Sequence, residues 1–195
     1  LDKYNMNNNI PNWNDVGIIP PLWESSGADF NRSPYKTSSI ELVDKYAINK
    51  KRAAILKGFL AFRSRLYSIN VTDGFQWVNG SFTENVELTS SRKPNDIDLV
   101  TFFHVPHGGT QQSMLQSDFE LFTPKVKELY FVDAYWQNLG ADPITLVKMS
   151  AYWYSMWSHK RDMTWKGFLQ IPLSATDDDQ ASIILNDMIL GGLDD

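Results

Sequence analysis

The chain has 195 residues, 43% of them apolar, and a formal net charge of −5, which fits one globular domain and argues against a surface coated in nucleic acid. It carries no cysteine, which rules out disulfide scaffolds, thiolate-bound zinc, iron–sulfur clusters and thiol nucleophiles. No apolar run reaches membrane-spanning length, and the Asn- and Pro-rich start lacks the apolar stretch of a signal peptide, so a cytoplasmic protein without membrane association is expected. The sequence begins with Leu1 rather than Met, so a few residues are expected ahead of it.

Residues 1–37 are punctuated by Asn7-Asn8-Asn9, Pro11, Gly17, Pro20-Pro21, Gly27 and Pro34, with Trp13, Trp23, Phe30 and Tyr35 scattered among them. This reads as an irregular arm whose aromatics dock on the body; a ligand-covering or partner-binding arm is the alternative. Ser38-x-x-Glu41 is a capping box, so a helix opens at Ser38 and runs through Ile40, Val43 and Ala47. Asn49 is a candidate cap for a second helix along Ala53, Leu56, Leu60 and Tyr67. The same stretch collects Lys45, Lys50, Lys51, Arg52, Lys57, Arg63 and Arg65, which reads as a solvated outer face or, failing that, a phosphate-contact surface.

From Gly74 the period changes to that of strands. Phe75 to Asn79 is a short strand ending at Gly80-Ser81, and Ile97 to Phe103 is a second. Residues 111–122 read as helical, and Leu129 to Tyr135 as a third strand bounded upstream by Pro124. Asp142-Pro143 starts a helix reaching His159, whose Met149, Tyr152, Trp153, Met156 and Trp157 form a stripe read as core, with a stacking platform as the alternative. Gly167 to Leu173 makes a fourth strand, and an acid-capped helix from Asp177 to Leu190 stops at Gly191-Gly192. The expected fold is α/β (α+β): a single domain with a small mixed sheet and flanking helices.

The chemistry concentrates in Gly80-Ser81, a loop of fourteen residues, and Asp96-Ile97-Asp98-Leu99-Val100. Residues two apart on a strand share a face, so Asp96 and Asp98 project together while Ile97 and Leu99 point into the core. Two carboxylates so placed repel unless a cation lies between them, and Mg²⁺ or Mn²⁺ suits an all-oxygen site that also meets phosphates. Asp133, in the apolar run Leu-Tyr-Phe-Val-Asp-Ala-Tyr, completes a triad if its strand lies beside that of Ile97. Such a triad suits metal-assisted, in-line phosphoryl displacement. Gly80 and Ser81 offer backbone N–H groups and a hydroxyl to phosphates.

Strand, Gly-Ser, loop, Asp-x-Asp and an apolar strand with one Asp together resemble the nucleotidyltransferase superfamily related to DNA polymerase beta. The resemblance is closest to small bacterial proteins with a minimal nucleotidyltransferase-like core. These share the early Gly-x-x-Pro-Pro (Gly17 to Pro21), the Gly-Ser-Phe (Gly80 to Phe82), Pro94 to Val100, Val132-Asp133 and Lys166-Gly167, so the likeness spans about residues 17–173. It implies that Asp96, Asp98 and Asp133 are catalytic metal ligands and that Gly80 and Ser81 hold the terminal phosphates of an NTP. Lys148, with Lys166 or Arg161, is implied as a phosphate neutraliser; each also reads as an ordinary surface charge. The activity implied is transfer of an NMP to an acceptor hydroxyl, on an RNA 3′ end such as that of tRNA or on a protein side chain. A toxin–antitoxin or phage-defence setting, with a protein partner, goes with it.

Two other readings compete: an inactive transferase fold that binds a partner, and a single-stranded RNA binder using the arm aromatics and the basic helix. His104, His107 and His159 read as surface histidines rather than metal ligands. The run Asp177-Asp178-Asp179 reads as a charge complement to a helix N-terminus.

Overall fold

Alternating apolar residues in three segments build the centre of a five-stranded mixed sheet, seen in a computed structural model that describes residues 9–23 and 31–194. The strands are β1 (Tyr35–Lys36), β2 (Gly74–Asn79), β3 (Ile97–Phe103), β4 (Val132–Asn138) and β5 (Leu169–Pro172), in spatial order β1-β5-β2-β3-β4. β2 is antiparallel to both β3 and β5, whereas β1–β5 and β3–β4 are parallel. Seven helices accompany them among the described residues: α1 (Ser39–Tyr46), α2 (Lys50–Ser68), α3 (Val86–Ser90), α4 (Gln111–Ser117), α5 (Lys125–Tyr130), α6 (Pro143–Trp157) and α7 (Ala175–Leu190). The architecture is mixed α/β, as expected.

The pleat separates two cores. Val78, Ile97, Leu99, Phe103 and Val132 face one side, packed with Leu42 and Tyr46 of α1, Phe59 and Phe62 of α2, Val126 of α5 and Leu185 of α7. Trp77, Val100 and Phe102 face the other side, covered by Trp153 and Trp157 of α6 with Phe168. One helix covers this second face, so part of it stays open.

Short-range signals hold. Ser38 and Glu41 form the reciprocal capping box, Asn49 accepts from the Arg52 amide, and Asp142 caps α6 with Pro143 in its first turn. Four expectations are corrected. The segment read as a strand from Leu129 is helix α5 up to Tyr130, and Phe131, at φ +56°, turns the chain into β4. The helix expected over 111–122 breaks at Asp118, whose carboxylate caps a separate 3₁₀ turn at Phe119–Phe122. Helix α7 starts two residues early, because Ser174 rather than Asp177 caps it. In the α6 stripe only Trp153 and Trp157 are buried, while Tyr152 and Met156 remain 49% and 43% exposed. The physical cause is the single sheet face beneath α6, which leaves its outer side without a partner.

The arm docks through its aromatics. Trp13 packs edge-on to Tyr46 and donates to the Thr83 carbonyl at 2.8 Å, and Trp23 meets Tyr35. Tyr35 itself lies in β1, paired with β5, so the irregular arm ends in a strand. Phe30 and Gly27 lie outside the described residues.

The basic run is only in part a solvated face: Lys50 and Lys57 are exposed, and Lys45, Lys51 and Arg65 partly so. Arg52 and Arg63 are fully buried. Arg63 donates to Asp178 at 2.7 Å, Gln76 at 2.8 Å and the Pro172 carbonyl at 2.7 Å, and Arg65 pairs with Asp118. Asp178 is therefore a buried ion-pair partner and more than a dipole complement. Guanidinium groups take such roles because five fixed donors can satisfy several acceptors at once.

Candidate active site

The site forms at the end of β2, β3 and β4 on the face covered by α6. Pairing of β2 with β3 sets Asn79 opposite Asp98, and parallel pairing of β3 with β4 sets Asp98 opposite Asp133. Facing residues on neighbouring strands stand about 5 Å apart and point the same way. Asp96 sits one residue ahead of β3. The register thus brings together three carboxylates that are up to 37 positions apart in the chain.

Burial, followed by the negative charges of Asp96 and Asp133, pushes the Asp98 carboxyl up to about 6 from its ordinary value near 3.8. The Lys127 ammonium, from α5, lies 2.7 Å from Asp96 Oδ2 and 2.8 Å from Asp133 Oδ2. Its hydrogen bonds to Asp133 and Asp96 raise its own pKa. The sequence reading missed Lys127 because the segment that holds it ran into an expected strand. Pro124 ahead of Lys-Val-Lys-Glu-Leu was the available signal, since Pro favours a helix start.

Gly80 is held against this cluster. At φ +82° it adopts a conformation that side chains disfavour, and an added Cβ would run into the Asp98 carboxylate. Gly80→Ala is expected to destabilise the fold by about 1–3 kcal/mol in urea denaturation, through backbone strain and displacement of Asp98. Ser81 opens the 3₁₀ turn Ser81–Thr83 directly afterwards.

Two buried cations shape this turn from behind. Arg52 donates to the carbonyls of Phe82 and Glu84, each at 2.6 Å, and pairs with Glu87 at 2.7 Å. Lys166 donates to Glu84 Oε1 at 2.6 Å and to the Gly80 carbonyl at 3.3 Å. Burial lowers the Lys166 pKa, opposed by the Glu84 carboxylate. Lys166 therefore lies buried at the Gly-Ser turn rather than on the surface, and its ammonium is matched by Glu84 rather than open to phosphates. Lys148 is exposed on α6 and Arg161 is exposed in the loop beyond it, and neither has an ion pair with the aspartates among the described residues. His104 and His107 are exposed after β3, apart from the carboxylates.

Aromatic rings border the carboxylates. Tyr135 follows Asp133 by two residues on β4 and so shares its face; its ring stands 5.2 Å from that of Trp153, which meets Tyr152 at 5.0 Å. Partial burial raises the Tyr135 pKa, as do the charges of Asp133 and Asp98. Asn79 donates to the Trp157 carbonyl at 2.9 Å, tying the end of α6 to the same strand end.

These residues make an oxygen-only donor set beside a turn of backbone N–H groups. The family of unknown function DUF6932 matches residues 11–172. The chain belongs to that family. The matched span takes in the docked arm, Gly80-Ser81 and all three aspartates. No curated protein and no solved structure matches the chain. No helix among the described residues is long and apolar enough to cross a membrane.

The chemistry of the donor set suits a hard divalent cation: the three side chains offer only carboxylate oxygens, and the half-buried Asp98 is held up by burial and by the charges of Asp96 and Asp133, which a cation would offset. Among the described residues, no three His, Asp or Glu side chains stand as they are at ion-holding geometry. The Lys127 ammonium occupies the space between two of the carboxylates.

Proposed function

We propose that the chain is a nucleotidyltransferase that uses Mg²⁺ or Mn²⁺ to move an NMP from an NTP to an acceptor hydroxyl, releasing pyrophosphate. The observation that carries this reading is the register of Asp98 against Asp133 beside Gly80. Asp96, Asp98 and Asp133 would hold the ion, which when bound supplies charge stabilisation for the phosphoryl oxygens. The amides of the Gly80 turn and the Ser81 hydroxyl bind the terminal phosphates. Asp133, at the edge of the cluster, accepts the proton of the incoming hydroxyl. Tyr135 and Tyr152 offer exposed ring faces for a base, in keeping with a nucleotide beside the carboxylates.

An RNA 3′ end such as that of tRNA, or a protein side chain, would supply the hydroxyl. Burial of Arg52 and Arg63 takes two cations away from any RNA contact along α2. A second reading, an inactive transferase fold that binds a partner, draws support from exposed Ile144 and Val147 on α6. A toxin–antitoxin or phage-defence module would supply that partner.

Incubation with each α-labelled NTP, divalent ion, and total RNA or cell extract is expected to label an acceptor. The Asp96→Ala, Asp98→Ala double variant should abolish the label. Label that survives in that variant would reject the assigned site.

A further inference from the structure

Lys127 projects from the last turn of α5, six residues before Asp133, and the left-handed Phe131 between them folds the helix back over the strand end. Its ammonium bridges Asp96 and Asp133 at 2.7 and 2.8 Å, while its side chain is 50% exposed. Lys127 is the cation bridging two of the three carboxylates, and the Lys166 ammonium, which also favours the charged form of Asp98, is itself paired with Glu84, so the cluster is under-neutralised. The bridge is also replaceable, because a half-exposed lysine on a flexible four-carbon stem gains little from each ion pair.

We propose that Lys127 is the resident counter-ion of this cluster and that a divalent cation binds by exchanging with its ammonium. This rests on the reading of Asp96, Asp98 and Asp133 as a cation site. The ammonium and the ion compete for the same Oδ2 lone pairs and repel each other at this separation, so both cannot sit between Asp96 and Asp133. Lys127 thereby keeps the carboxylates together in the ion-free protein and sets the threshold of cation concentration at which the site fills. Sodium and other monovalent ions carry no more charge than the ammonium they would displace, so the exchange selects divalent ions.

Titration of Mn²⁺ into the whole chain, followed by calorimetry and by the paramagnetic signal of free Mn²⁺, tests this without reference to activity. Lys127→Met keeps most of the stem and removes the charge. It should lower the Mn²⁺ dissociation constant at least about tenfold, whereas Lys127→Arg should leave it unchanged or raise it. Lys127→Met should also show a larger Mn²⁺-induced rise in melting temperature than the wild type, and Lys127→Gln provides the same comparison should the Met variant fold poorly. Equal or weaker Mn²⁺ binding by the charge-deleted variants, with the wild type binding, would overturn the exchange proposal alone. Absence of Mn²⁺ binding in the wild type and in both charge-deleted variants would overturn it together with the cation-site reading.

Discussion

Asp98→Asn is expected to stabilise the protein in divalent-free buffer above pH 6 and, if the proposed nucleotide transfer holds, to reduce it at least about a hundredfold. The sign follows from proton linkage. Burial and two neighbouring carboxylates raise the Asp98 pKa to about 6 in the folded chain, against 3.8 ordinarily. Below pH 4 the carboxyl is protonated in folded and unfolded chains alike, and its contribution to stability is fully present. Between pH 4 and 6 the unfolded chain ionises first, the folded chain binds more protons, and stability falls as pH rises. Above pH 6 the full penalty persists, and at about 1.4 kcal/mol per unit it amounts to roughly 2–3 kcal/mol. Asn carries no charge, so the variant should melt at a higher temperature than the wild type at pH 7.5, with the gap closing below pH 4. A wild type that gains stability from pH 4 to 7 relative to the variant would contradict this. A charge cluster that weakens its own fold is what the stability–function trade-off leads one to expect of a functional site.

Arg63→Leu should have the largest effect on stability, a loss of about 3–5 kcal/mol by denaturant titration. The guanidinium is fully buried between α2 and the sheet, bonded to Asp178, Gln76 and the Pro172 carbonyl. Gln76 in turn donates to Thr101 at 3.0 Å, so the network crosses from α2 through β2 to β3. Removing Arg63 leaves the Asp178 carboxylate buried with only the Tyr67 hydroxyl donating to it from this network. The Arg63→Leu, Asp178→Leu double variant should therefore be more stable than Arg63→Leu alone, because the stranded charge goes with its partner. If the two losses simply add, the ion pair is not what holds this network.

The contrast between these two sites explains what could be read from the chain. Asp98 was legible because the alternation Ile97-Asp98-Leu99 states on its own that a carboxylate leaves one face of a strand whose other face is core. Arg63 was not, because the six cations along α2 look alike until the fold supplies a partner for some of them. Asp178 lies 115 residues away. Lys166 shows an intermediate case: the sequence singles it out, yet its ion pair with Glu84 depends on how the turn between β2 and α3 packs.

Local interactions decided what the sequence alone determined. The Ser38–Glu41 box, the Asn49 cap and Asp142-Pro143 set helix starts through contacts within four residues, and the period-two patterns of β2 and β3 set which side chains face the core. Tertiary structure decided the rest. It chose the parallel register that sets Asp133 against Asp98, made a helix of the residues ahead of β4, and carried Lys127 onto two of the aspartates. It also left the outer face of α6 uncovered. Burial and charge neutralisation are properties of neighbours brought together in space, and a linear pattern holds them only when those neighbours lie within a turn or two along the chain.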